Sequence, residues 1–119
     1  MPFTYEQVDV KPEPLGGWDA IATEYQYTEM AYRARLEGTV IVAVVIDAQG
    51  ALVRGCEFRS LCVVRGIGGG TDEEALRVIG QTRFDPGRMD GQAVDVAMEI
   101  GITLSYADSS AVAGPYVEP

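Results

Sequence analysis

The side chains best equipped for chemistry are two thiols, Cys56 and Cys62, and a carboxylate run, Asp72-Glu73-Glu74. Thiol chemistry runs through the thiolate, which needs a basic helix terminus or similar neighbour to lower its pKa. The sequence offers no such setting. A disulfide between Cys56 and Cys62 and a pair of reduced thiols are both open readings. There is no histidine and no CxxC motif. Structural zinc would have only two soft ligands to draw on. A Ser-His or Cys-His nucleophile is excluded for the same reason. The carboxylates have nothing that sets them across a cleft as an acid–base pair. They suit a helix N-terminus, where the helix dipole favours negative charge. The glycine-rich stretch 66–70 ahead of that helix superficially resembles a phosphate cradle. No lysine follows it, and three carboxylates would repel an anion, so it reads as a strand-to-helix connection. No catalytic residue, metal ligand or cofactor is expected.

Length and charge narrow the classes further. The chain has 119 residues, room for one core. It carries 18 acidic against 9 basic residues, a net charge of −9, and Lys11 is the only lysine. Such a surface repels nucleic-acid phosphates and anionic membranes. The opening residues lack the basic and apolar regions of a signal peptide. The longest apolar run, residues 40–46, falls far short of the ~20 residues that span a bilayer.

The elements follow from spacing. Residues 1–15 read as an extended lead-in with one short strand, closed by Gly16-Gly17. Trp18, Ile21, Ala22 and Tyr25 recur at helical spacing, with a break at Tyr27-Thr28. Helical spacing resumes at Met30, Ala31, Ala34 and Arg35 and stops at Gly38. The aromatic residues Trp18, Tyr25, Tyr27 and Tyr32 read as core and rim. Residues 39–47 are a β-branched run, a central strand. Asp47-Ala48-Gln49-Gly50 is a turn, and a second strand lies within residues 51–64. Thr71 and Glu74 have capping-box spacing for a helix ending near Thr82. Residues 84–87 turn the chain, and Asp90-Gly91 turns it again. Val94, Val96, Met98, Ile100, Ile102 and Leu104 then alternate with Asp95, Ala97, Glu99, Gly101, Thr103 and Ser105, a half-buried antiparallel strand. Residues 107–119, rich in Ala, Ser, Gly and Pro, read as a flexible tail. The fold class is α+β: two helices packed on a three-stranded antiparallel sheet.

Several of these segments resemble the TonB C-terminal domain family. They are Gly16-Gly17-Trp18-Asp19-Ala20-Ile21, Tyr27, residues 31–40, the turn 47–50, Asp72-Glu73-Glu74-Ala75-Leu76, Arg83-Phe84-Asp85-Pro86-Gly87 and Gly91-Gln92-Ala93-Val94. The resemblance covers about residues 16–104, and it places a domain of the TonB/TolA C-terminal type at 16–106. The chain departs from the family at Thr28 and Gly101, where proline is frequent, and at Leu104, where an aromatic is frequent. Residues 55–62 look like an insertion, and no anchor or proline-rich spacer is visible.

The resemblance implies a periplasmic protein-binding module. The family adds an extended transporter segment, the TonB box, to its sheet edge and works with ExbB and ExbD. By resemblance the receiving edge is the last strand: Val94, Asp95, Val96, Ala97, Met98, Glu99, Ile100, Gly101, Ile102, Thr103 and Leu104. Its unpaired backbone groups would accept the incoming chain. Asp95 and Glu99 would discourage self-association and favour basic partners, or simply stand in solvent. Arg35 and Arg83 are candidate assistants. The alternatives are a stand-alone module that dimerises by strand pairing and a thiol redox sensor at Cys56 and Cys62.

Overall fold

The computed structural model describes residues 2–53 and 61–117. In chain order the strands and helices are β1 (Phe3–Thr4), β2 (Glu13–Pro14), α1 (Trp18–Glu24), α2 (Glu29–Arg33), β3 (Gly38–Ile46), β4 (Leu61–Arg65), α3 (Thr71–Gly80), β5 (Phe84–Asp85), β6 (Gly87–Met89), β7 (Gln92–Val94), β8 (Val96–Ser105) and β9 (Ser110–Pro115).

The expected pair β3 and β8 forms the centre. They run antiparallel in unbroken register from Gly38 opposite Leu104 to Ile46 opposite Val96. The alternation read from the sequence sends Val40, Val42, Val44 and Ile46 to the same face as Met98, Ile100, Ile102 and Leu104, all buried. Onto that face pack Ile21 from α1, Tyr25 just after it, Ala75, Val78 and Ile79 from α3, and Phe84. Each large apolar side chain so buried contributes about 1.5–3 kcal/mol. β4 pairs with the other side of β3.

The sheet is larger than the three strands expected. Among the described residues five strands belong to it, because β1 and β9 also join β8. Two small ribbons, β2 with β5 and β6 with β7, stand beside it. The tail is therefore not loose: residues 110–115 pair with β8 along their length. The lead-in is also fastened. Val10 exchanges backbone hydrogen bonds with Arg88, and the Lys11 ammonium donates to the carbonyls of Tyr5 (2.6 Å) and Val8 (2.9 Å).

Three other boundaries differ from the sequence reading. Val94 lies on β7, opposite Gly87, and Asp95 separates it from β8. The Asp95 carboxylate accepts the Ala48 N–H, so the residue ties the 47–50 turn instead of continuing the strand. The helix α2 stops at Arg33, well before Gly38, because Arg35 takes a left-handed φ of 56°. Thr71 does not cap α3. Gly70 does, at φ 80°, and the Thr71 hydroxyl donates to the Gly68 carbonyl. Glu74 instead accepts the Gln26 N–H and binds Arg77.

Other features match their sequence signals. Asp90 and Gly91 both take positive φ (52° and 79°), as the primed turn of a two-residue hairpin requires. Thr28, in the expected break, caps α2 by accepting the Ala31 N–H. Its hydroxyl also donates to the Gly69 carbonyl at 2.5 Å. The Gly66–Gly70 stretch serves packing: a Cβ on Gly69 would stand 2.6 Å from Leu36 Cδ1. The Asp72 carboxylate already takes the Ile67 N–H of that loop.

Gly50 holds the turn after β3 against β5. It has φ 81°, and a Cβ there would sit 1.8 Å from the Phe84 carbonyl oxygen. The Phe84 N–H donates to the Gly50 carbonyl at 3.0 Å. Gly50→Ala should cost at least about 2 kcal/mol through strain and backbone displacement, read as a lower urea midpoint. Tyr25 supplies a pH-dependent test. Burial, reinforced by Glu74 and Asp72, pushes its phenol well above the ordinary range, and its hydroxyl donates to the Thr71 carbonyl. The neutral phenol is thus favoured by the fold. Stability should hold up to about pH 10, the ordinary tyrosine value, and then fall as pH rises toward the folded value. Unfolding midpoints measured across that window should decline less steeply in Tyr25→Phe.

Candidate strand-pairing edge

β8 has two rows of backbone polar groups, and its alternation assigns them. Ile100, Ile102 and Leu104 bond to β3, so Glu99, Gly101, Thr103 and Ser105 present N–H and C=O to the other side. That outer side is not open. Tyr116 N–H donates to the Glu99 carbonyl at 2.9 Å. β9 continues the ladder with Gly114 opposite Gly101, Val112 opposite Thr103 and Ser110 opposite Ser105. At the other end β1 pairs in parallel, Phe3 with Val96 and Thr4 with Ala97. Phe3 N–H donates to the Asp95 carbonyl at 2.9 Å.

The expectation of a vacant edge along residues 94–104 is therefore corrected. Nine of those eleven positions, Val96 to Leu104, lie on β8, and the chain itself pairs along its outer side from both ends. The physical reason is that a buried strand cannot leave a row of N–H and C=O groups unpaired without a cost of about 1–3 kcal/mol each. A notch of about 310 Å³ remains where the two segments meet, lined by Thr4, Tyr5, Glu6, Ala97, Met98, Glu99, Tyr116 and Val117.

The turn between β8 and β9 is anchored from the helical side. Tyr106 packs against Tyr32 with ring centroids 5.4 Å apart and planes tilted by 42°, and the Arg35 guanidinium lies 5.8 Å over the Tyr106 ring. Tyr106 N–H donates to the Glu37 carboxylate at 3.0 Å. The Ser110 hydroxyl, 2.7 Å from Asp108, holds that carboxyl below its usual range. Arg35 thus supports the edge indirectly. Arg83 stands elsewhere, lining a groove with Leu15, Ile21 and Val78 between α1 and α3. Glu99 is half-buried on the sheet face opposite the helices. Cys62 lies on β4 opposite Ala43, away from this edge. Cys56 and most of the 55–62 segment fall outside the described residues, and the Cys56–Cys62 disulfide reading with them.

One central glycine permits the pairing. Gly101 offers the N–H that a proline would lack. A Cβ at Gly101 would meet Thr39 Cγ2 at 3.2 Å and the Tyr116 side chain at 3.4 Å, so Tyr116 rests directly on the glycine.

Against this geometry, residues 23–105 match the family described as the Gram-negative bacterial TonB protein C-terminal. The chain belongs to that family. The matched stretch ends at Ser105, the last residue of β8. Both segments that cover the edge, β1 and β9, lie outside it. No curated protein and no solved structure gave a match.

The residues that the sequence reading passed over are Phe3, Thr4 and 110–116. Their signals were present: Gly101 in place of proline, and Ser110-Ala111-Val112-Ala113 directly after a turn-forming Asp108-Ser109. Gly101→Pro should remove the donor facing Gly114 and detach β9. Amide exchange of residues 110–116 should then accelerate by at least about tenfold, equivalent to about 1.4 kcal/mol of lost protection, while β3 amides stay protected.

Proposed function

We propose that this TonB C-terminal domain is a periplasmic protein-binding module that captures an extended outer-membrane transporter segment by strand exchange on β8. The supporting observation is that β8 already accepts two extended segments on its outer side, one parallel and one antiparallel. The edge is receptive to strand addition in either sense. Neither resident is a long, strongly apolar strand. β1 contributes two residue pairs, and β9 is built from Ser, Ala, Val, Ala, Gly and Pro. Such residues bury little apolar surface and mostly lack strand preference. Ligand entry therefore consists of replacing β9, β1 or both while the β3–β8 core stays intact.

A second reading is a stand-alone module that self-associates. Among the described residues, β9 has β8 as its sole ladder partner, so its far side and that of β4 are unpaired. Pro115 lacks an N–H at that margin, which shortens any ladder built there.

Val112→Pro separates the readings, because it removes the donor aimed at Thr103 without changing β8. In the full chain, an extended transporter-derived peptide should bind at least about tenfold more tightly once the competent state is more populated. Labelled amides of Gly101, Thr103 and Ser105 should carry the largest shifts. Shifts confined to β4, or a concentration-dependent dimer with no peptide response, would remove the strand-exchange reading.

A further inference from the structure

Resting on the strand-exchange reading, we infer that the β8 edge selects extended peptides with small side chains at two alternate positions, followed by an aromatic three residues after the second. The resident segment supplies the template. Ala111 stands opposite Leu104 and Ala113 opposite Ile102, so both point to the core face. Both pack against the buried core cluster. Helix α1 lies directly over them, with Cα atoms of α1 and β9 within 8 Å. A longer side chain at either position must displace the helix or leave the ladder. The intervening positions are different. Val112 is 67% exposed on the opposite face. A Cβ added at Gly114 meets nothing within 4 Å. Bulk is therefore free at those two places.

The aromatic position comes from Gly101. Its bare Cα leaves a shallow site beside Thr39, and the Tyr116 side chain lies against it, 3.4 Å from where a Cβ would stand. A ring resting on a cross-strand glycine restores the packing that the glycine lacks. Tyr116 also donates its N–H to Glu99, which fixes the ring in register with the ladder. The pattern is small, any, small, any, any, aromatic, spanning the positions of Ala111 to Tyr116. Side-chain size beneath α1 thus discriminates among peptides whose backbones pair alike.

The probe is a synthetic peptide with the sequence of residues 110–116, titrated into the full chain carrying Val112→Pro. Leucine at either the Ala111 or the Ala113 position of the peptide should weaken binding roughly tenfold or more, as overpacking does. Leucine at the Val112 position should change it less than about threefold, and alanine at the Tyr116 position should weaken it about fivefold. If the peptide shifts β8 amides but leucine is tolerated at all three aliphatic positions, the size selection is wrong and strand exchange stands. If no peptide engages the opened edge, strand exchange itself is wrong. A paired measurement avoids the added peptide. In the full chain, Ala113→Leu should speed amide exchange of Val112 and Gly114, and Val112→Leu should not. Equal behaviour of the two variants would overturn the selection.

Discussion

The antiparallel pairing of β3 with β8 sets every other choice in this molecule. Nine residue pairs without a break fix which side chains face the helices and which face away. A slip of one residue would turn Ile100, Ile102 and Leu104 out of the core. The same pairing uses only one row of β8's backbone groups. The other row is left beside a buried face, where water cannot serve it fully. Segments from both ends of the chain supply that need, so under the proposed strand exchange an incoming ligand competes with them.

That proposal changes the energetic character of recognition. An open edge gains every hydrogen bond that a ligand brings. A filled edge gains only the difference between the ligand's ladder and the resident's. Backbone bonds nearly cancel in such an exchange, because both chains offer the same groups. Side chains then decide the outcome: size beneath α1, room around Val112 and Gly114, and the ring seat on Gly101. The acidic charge of the domain acts over longer range and is screened by salt.

The parts legible in the sequence were those with strong periodicity. The alternation of residues 96–104, the run 39–46, the break at Thr28 and the Asp90-Gly91 turn all follow from local patterns. The membership of the family was legible because several weak motifs stood in the right order. What escaped was non-local. Ser110-Ala111-Val112-Ala113-Gly114 carries too little apolar content to announce a strand, and it becomes one because β8 lacks a partner. Phe3-Thr4 is too short to show any period. Thr71 had the residue type of a cap, yet three successive left-handed glycines before it moved the boundary to Gly70. Arg35, and not a glycine, took the left-handed position that closes α2, with Leu36 N–H returning to the Ala31 carbonyl, so residue type did not signal that boundary.

The placement of Phe3 and Tyr116 has a topological consequence. The two residues dock on the same margin of one strand, at Val96 and Glu99. Head and tail of the described chain therefore meet, and the polypeptide comes close to a ring. A bridge of a few residues between them would span the gap without crossing the core. It would also bind the two occupants of that margin into a single piece, so that neither could leave without the other.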